Sequence, residues 1–161
     1  MAMTIQSPAF EEGRMIPINH TGEGSDHSPP LEWHGVPAST VEFALICDDP
    51  DAPTDEPWVH WLIYNIPADI SSLPEHVSRE STLKKPISAC QGCNSWPKGQ
   101  NVGYRGPMPP RGHGVHHYHF KLYALSKRME LPPGIDKASL LTAMKGHILE
   151  MVELIGTYQR K

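Results

Sequence analysis

The chain has 161 residues, the size of one ordinary domain, so we expect a single domain over residues 1–161. Its formal net charge of −4 and its pI near 6.2 argue against the basic face that a nucleic-acid binder needs, and no nucleic-acid partner is expected. No apolar run is long enough to span a bilayer and no leader pattern opens the sequence, so we expect a cytoplasmic protein without membrane insertion.

Proline and glycine are too frequent for a helical protein. The chain contains 17 prolines and 13 glycines, and they recur between short apolar runs. This pattern is typical of an all-β protein with many turns, because these residues fix the backbone conformations that turns require. Helix is expected to be a minority.

The first half of the chain predicts short strands followed by a central one. Residues 4–10 and 15–19 are expected as opening strands, and the loop of residues 20–30 should deliver Trp33 to the core. Residues 41–47 are apolar at nearly every position, which predicts a strand covered on both faces. Asp49 follows at its end.

Two later strands are predicted from alternation. Residues 60–66 form a strand that places His60, Leu62, Tyr64 and Ile66 on one face. Residues 68–102 show little pattern and are interpreted as long connections with one short strand at most. A further strand over residues 116–125 has a buried face of alternate residues: His116, Tyr118, Phe120, Leu122 and Ala124.

The C-terminal region predicts an amphipathic helix. Asp136 can cap it, and apolar residues recur at helical spacing from Leu140 to Ile155. Gly156 suits the helix end, and residues 157–159 are expected to return as a short strand.

Four side chains at strand ends or after proline-rich loops form the candidate site: Asp49, His60, His116 and Tyr118. A carboxylate can keep a neighbouring imidazole protonated near neutral pH, and two such imidazoles would attract phosphate or carboxylate. The amide groups of Gly106 and its neighbours could donate further hydrogen bonds. The leading hypothesis is therefore a small-anion pocket with no catalytic residue, metal or cofactor.

Other interpretations of these residues stay open. A single histidine is more commonly a hydrogen-bonded core or surface residue, and His117, His119 and His147 are assigned to that class. Asp51 is predicted to form a turn rather than act as a base.

Two further classes of function compete with anion binding. A hydrolase or lyase could use Asp49 with His60 or His116 as base and acid, and the same three residues could ligate zinc or iron. The spacing of Cys90 and Cys93 also occurs in zinc knuckles and redox pairs, although loop thiols or an incidental disulfide are favoured here.

Several segments carry a family resemblance. They are residues 28–33, 49–53, Trp58 with His60, 106–112, 116–118 and 153–158. Together they resemble the phosphatidylethanolamine-binding protein family, specifically its bacterial and archaeal branch, often labelled Raf kinase inhibitor-like. The resemblance spans most of the chain in the right order.

The resemblance implies a mainly β fold, an antiparallel β-sandwich with a C-terminal α-helix. It implies a non-enzymatic protein that binds phosphate, phosphorylated groups or a phospholipid headgroup, with a protein kinase as a partner to modulate and a homodimer as the assembly. It also implies cis peptides at Ala52–Pro53 and Glu56–Pro57. The implied ligand-binding residues are Asp49, Ala52, Pro53, Trp58, His60, Gly106, Pro110, His116 and Tyr118.

One position departs from the pattern. Family members often carry arginine where this chain has His117. Alternation points His117 away from the expected pocket, so the departure bears on surface contacts and leaves the anion site intact.

Overall fold

A computed structural model describes residues 2–161 of the chain. Within them the strands and the single α-helix follow one another as β1 (Thr4–Gln6), β2 (Leu31–His34), β3 (Glu42–Asp49), β4 (Trp58–Pro67), β5 (Ser72–Leu73), β6 (Thr82–Leu83), β7 (Ala89–Gln91), β8 (His116–Leu125), α1 (Lys137–Met144) and β9 (Ile148–Tyr158). A 3-10 turn spans Ile18–His20. The mainly β fold class is confirmed.

The strands form two antiparallel sheets. A small sheet has the order β1-β2-β5, and a large one has the order β6-β7-β4-β3-β8-β9. β3 lies between β4 and β8, and all eight of its residues are buried. The prediction of a central strand covered on both faces is confirmed, because one face meets the small sheet's layer and the other meets the helix.

The main core fills the space between the sheets. Trp33 of β2 packs on Phe43 of β3 with ring centroids 5.4 Å apart, and the indole N–H of Trp33 donates to the Ile70 carbonyl. The predicted delivery of Trp33 to the core is confirmed. The buried face of β8 is also as predicted, since Tyr118, Phe120, Leu122 and Ala124 all belong to this core.

A second, smaller core lies on the outer face of the large sheet. Leu140 and Met144 of α1 are fully buried there against Ile46 and Leu62. Asp136 caps the helix as predicted, because its carboxylate accepts a hydrogen bond from the Ser139 amide at 2.8 Å.

The predicted extent of the C-terminal helix is wrong. α1 has eight residues and stops at Met144, and β9 begins four residues later. β9 pairs with β8 from Ile148 to Tyr158, and its last residues alternate between buried and half-buried as a strand requires. The physical reason is that tertiary pairing with a ten-residue neighbour outweighs a local helical spacing of apolar residues.

Several short elements also differ from prediction. The first predicted strand is shorter, at Thr4–Gln6, and residues 15–19 contribute one isolated bridge and a 3-10 turn. Residues 68–102 contain three short strands, β5, β6 and β7. Strands of two or three residues are too short to leave a periodic signal, so the alternation could not find them.

The pairing of β3 with β4 contains two register shifts. Cys47 pairs with Trp61 and Asp48 pairs with Val59, which leaves His60 as an extra residue on β4. A bulge of this kind turns a side chain from one face of a sheet to the other. The prediction that His60, Leu62, Tyr64 and Ile66 share one face is therefore wrong. Leu62 and Tyr64 lie in the second core, Ile66 lies in the main core between the sheets, and His60 packs on Tyr118.

The expected cis peptides are also wrong. Ala52–Pro53 and Glu56–Pro57 are trans, and within residues 2–161 the cis bond is Lys85–Pro86. The sequence does not decide the isomer, because the two forms of an X–Pro bond differ by only about 0.5–1 kcal/mol.

Candidate functional site

A cavity of about 280 Å³ opens where β3 ends beside the starts of β4 and β8. Because these neighbouring strands are antiparallel, the end of β3 lies beside the starts of β4 and β8. We call it the site cavity, and its lining residues are Asp49, Ala52, Pro53, Thr54, Trp58, His60, Trp96, Met108, Pro109, Pro110, His116 and Tyr118.

Asp49 is the fixed point of the site cavity. It is the last residue of β3 and is only 3% exposed. One carboxylate oxygen accepts the Asp51 amide at 2.8 Å, and the other lies 2.6 Å from His116 Nδ1. Both oxygens are engaged, so this carboxylate orders the loop after β3 and orients an imidazole.

His116 is held at both ring nitrogens. Nδ1 faces the Asp49 carboxylate, and Nε2 lies 2.6 Å from Nδ1 of His113. Because a carboxylate accepts hydrogen bonds, the Nδ1 of His116 carries a proton. The chain of contacts therefore runs from a buried acid through a buried imidazole to His113, which is exposed.

His60 is buried and neutral at neutral pH. Burial lowers its pKa to about 4, although the Arg105 carbonyl and the nearby aspartates act in the other direction. Its Nδ1 lies 2.6 Å from the Arg105 carbonyl, so the ring carries its proton there. Nε2 is then a hydrogen-bond acceptor.

This geometry corrects one part of the sequence-based hypothesis. The expectation that nearby carboxylates keep both imidazoles protonated near neutral pH is wrong for His60. The reason is that the ring is almost completely removed from water, which penalises the charged form more than Asp49 stabilises it. The site cavity holds one neutral imidazole and one imidazole paired with a carboxylate.

Aromatic rings form the walls. His60 packs edge-on against Tyr118 at 5.0 Å and against Trp96 at 5.1 Å, and Trp96 meets Trp58 at 5.4 Å. Burial raises the pKa of Tyr118, so its phenol keeps the proton and can donate a hydrogen bond. Most of the wall surface is apolar, and the rings of His60, Tyr118 and His116 stand next to one another in it.

Eight of the nine predicted ligand-binding residues line the site cavity, and Gly106 is the exception. Its amide donates to the Asp26 carboxylate at 2.7 Å, so the expectation that this amide could serve a ligand is wrong. A side chain at Gly106 would clash with the His20 carbonyl, so the glycine permits close packing behind the cavity.

Asp51 and His117 pair outside the site cavity. The Asp51 carboxylate accepts the His117 amide at 2.8 Å and lies 2.7 Å from His117 Nδ1. The predicted turn-forming carboxylate is Asp49 instead, because it accepts the amide two residues ahead. The outward direction predicted for His117 is confirmed, since it is half exposed.

Four contributors were missed by the sequence argument. Three line the site cavity and one binds His116; they are Thr54, Trp96, Met108 and His113. Trp96 lies in a stretch without periodicity, and only the fold brings it to His60. His113 could have been found, because it stands on the same glycine-rich loop three residues before His116.

The metal and thiol interpretations find no support in the donor geometry. Within residues 2–161, no three His, Cys, Asp or Glu side chains are arranged to hold a metal ion. Cys90 and Cys93 are free, and the Cys93 thiol contacts the Gly134 carbonyl at 3.2 Å. The expectation of loop thiols holds for Cys93 and is wrong for Cys90, which is a free thiol on β7.

The fold and the site together define a class of protein. It has two antiparallel β-sheets and a small cavity at the ends of three neighbouring strands, lined by imidazole and carboxylate groups. The family model described as phosphatidylethanolamine-binding protein matches residues 6–159. The chain belongs to the phosphatidylethanolamine-binding protein family.

Relatives from archaea and bacteria match over nearly the whole chain. A UPF0098 protein of Methanothermobacter thermautotrophicus is 46% identical over 158 residues, covering 98% of this chain and 99% of that protein. One of Pyrococcus horikoshii is 43% identical, covering 96% of this chain and 76% of the relative.

Solved structures agree with the fold. Escherichia coli YbcL, described as a member of the mammalian PEBP family, has a TM-score of 0.87 and 33% identity, and each chain covers 99% of the other. A homolog from Chlamydia trachomatis, described as a putative phosphatidylethanolamine-binding protein, has a TM-score of 0.86 and 37% identity, also over 99% of each chain. In residues 2–161, no helix combines the length and apolar character needed for a bilayer crossing.

Proposed function

We propose that the protein binds a small anionic group, a phosphate, a phosphorylated side chain or a phospholipid headgroup, in the site cavity without turning it over. The observation that carries this proposal is the convergence of His60, His116 and Tyr118 in one small, mostly apolar cavity. Membership of a family named for a phospholipid supports the same ligand chemistry.

The hydrogen-bonding groups narrow the ligand further. Neutral His60 presents an acceptor at Nε2, and Tyr118 presents a donor hydroxyl. A phosphate that retains one hydrogen satisfies both, because its P–OH group can donate to His60 while another of its oxygens accepts from Tyr118. The ammonium group of a phosphoethanolamine headgroup would also donate a hydrogen bond to His60.

Charge favours such ligands over a fully ionised one. Asp49 carries the carboxylate of the cavity, and His60 contributes no positive charge at neutral pH. A dianion would be repelled by this carboxylate more strongly than a monoanion or a zwitterion. Protonated phosphate or a zwitterionic headgroup carries less net charge into the same space.

The absence of turnover is supported by the lining residues. Among the described residues around the cavity, none is a serine or a cysteine, and the hydroxyl of Thr54 donates to the Glu56 carbonyl instead of facing a base. Asp49 has both oxygens engaged. The alternative of a hydrolase or lyase using Asp49 with His60 or His116 lacks a nucleophile beside a base.

The experiment is calorimetric titration of phosphate and of phosphoethanolamine. A His60→Ala/His116→Ala variant is expected to bind both ligands roughly 100- to 10,000-fold more weakly, since it loses two hydrogen bonds to a charged group and each contributes about 1.5–3 kcal/mol. His34→Ala is the control, because His34 is exposed on β2. Equal affinity in the double variant and the wild type would remove the cavity from the function.

The finer proposals about partners have separate support. A homodimer fits the exposed apolar residues Ile148, Leu149 and Met151 on β9, which is the edge strand of the large sheet. Light scattering after size exclusion tests it, and a monomer at every protein concentration, including the highest, would contradict it. Modulation of a protein kinase is supported by the family resemblance, and inhibition of a kinase panel tests it.

A further inference from the structure

His113 occupies the ring nitrogen of His116 that a ligand would need. His116 Nδ1 is committed to Asp49, so Nε2 is the atom left for any bound group. In the structure that atom lies 2.6 Å from Nδ1 of His113, with the two rings tilted by 59°. The contact has the length of a direct hydrogen bond, and it fills the position with the chain's own side chain.

The surroundings of His113 allow its ring to leave. His113 is exposed, and it stands between Gly112 and Gly114, where a Cβ would meet nothing within 4 Å. The backbone around His113 is held by two hydrogen bonds. The Gly112 amide donates to the Arg160 carbonyl, and the His113 amide donates to the Pro110 carbonyl. The side chain can therefore rotate into solvent while the loop keeps its shape.

The two states exchange one hydrogen bond for another. With neutral rings, His113 Nδ1–H donates to His116 Nε2, whose own proton is on Nδ1. A phosphate that carries a hydrogen can donate from its P–OH group to the same nitrogen. Hydrogen bonds that involve a charged group are stronger than neutral ones, so the exchange favours the ligand.

We propose that His113, which contacts a lining residue of the site cavity, is an internal competitor for the ligand: it holds Nε2 of His116 until a phosphate-type anion displaces it. This inference rests on the proposed function and adds a residue to it. His113 then lowers the affinity for the anion by competing with it for His116. When the anion binds, the His113 ring rotates into solvent.

The test compares phosphate titrations of wild type and His113→Ala by calorimetry. Removal of one competing hydrogen bond is expected to tighten phosphate binding by about 2- to 10-fold. His34→Ala, which removes another exposed imidazole, is expected to bind as wild type does. Because the variant loses a single hydrogen bond, it should remain folded with at most a small drop in stability, which thermal unfolding verifies.

Nitrogen-15 spectra of the histidine side chains give an independent readout without ligand. His116 Nε2 should show the signature of a hydrogen-bonded acceptor in wild type and lose it in His113→Ala. Addition of phosphate to wild type should move the His113 signals towards those of exposed His34.

The outcomes separate the two proposals. Phosphate binding that is unchanged or weaker in His113→Ala, with wild type still binding, would overturn the displacement and leave the proposed function standing. A His116 Nε2 signal that is the same in both proteins would also overturn it. Failure of wild type and variant alike to bind phosphate or phosphoethanolamine would overturn the proposed function itself.

Discussion

Asp48 and Asp49 are adjacent in the sequence, and both are buried, yet they face opposite sides of the large sheet. Asp48 lies 2.7 Å from Lys137 of α1 and 3.3 Å from Lys121 of β8. Asp49 lies 2.6 Å from His116 and points into the site cavity. An aspartate thus ties the helix to the sheet at position 48, and the next aspartate, at position 49, forms part of the candidate binding site.

The difference lies in the partners. Lysine keeps its charge at physiological pH, so the Asp48 contacts are permanent and their role is structural. Imidazole changes its charge and its donor or acceptor roles near neutral pH, so the Asp49 side can respond to a ligand. Permanent charges on the helix side and adjustable groups on the cavity side separate stability from binding within two residues.

The largest effect is expected on the helix side. Lys121→Met/Lys137→Met leaves the Asp48 carboxylate fully buried without a cation, which should lower the free energy of unfolding by about 3–5 kcal/mol. Denaturant unfolding measures this, and phosphate affinity should not change. Lys98→Met/Lys127→Met is the matched control, because both lysines are exposed. A loss of phosphate binding in the first variant would break the separation between the two sides.

The next effect is the acid sensitivity of the cavity side. His60 has a pKa of about 4 when folded, below its ordinary 6.5, so the unfolded chain takes up the proton first. Its contribution to stability is complete above pH 6.5 and is lost as the pH falls towards 4, a total of about 3 kcal/mol. In His60→Gln, the free energy of unfolding should fall less steeply between pH 6.5 and 4. Parallel curves for the two proteins would show that His60 is not buried as described.

Asp49→Asn should have a smaller effect on stability. The amide keeps the shape and loses the charge, so the bonds from His116 and the Asp51 amide weaken by about 1–3 kcal/mol in total. Denaturant unfolding and the side-chain nitrogen-15 spectrum of His116 report the change, and the ring should lose its single tautomer. Asp69→Asn, at an exposed position, is the control. A His116 tautomer that survives unchanged would show that Asp49 does not orient it.

The smallest effect is expected at Asp51. Although its partial burial acts to raise the pKa of Asp51, hydrogen bonds from the His117 ring and amide lower it. The pair is exposed, so Asp51→Asn should cost about 0.2–1 kcal/mol at pH 7. The wild-type advantage should be present above pH 3.8 and vanish as the pH falls through the lower folded pKa. A loss of stability as large as that of Asp49→Asn would mean that the exposed Asp51–His117 pair also contributes to the structure of the site.

The site residues on long strands were the most predictable. Asp49, His116 and Tyr118 belong to β3 and β8, whose apolar runs and alternation are strong enough to place each side chain. His60 was placed in the right strand, but alternation does not explain its direction. A bulge in β4 turns it to the cavity. Gly106 was misassigned because an amide's partner, here Asp26, is visible only in three dimensions.

The sequence by itself determined the β class, the central position of β3 and the residues that gather at its end, because these follow from periodicity and from side-chain chemistry along one segment. Only the tertiary structure decided that residues 148–158 form a strand, that His60 is neutral and that His113 contacts His116. Each of these depends on groups distant in sequence or on a loop geometry that no local pattern encodes: pairing with β8, the burial of a ring from water, and the path between Gly112 and Gly114.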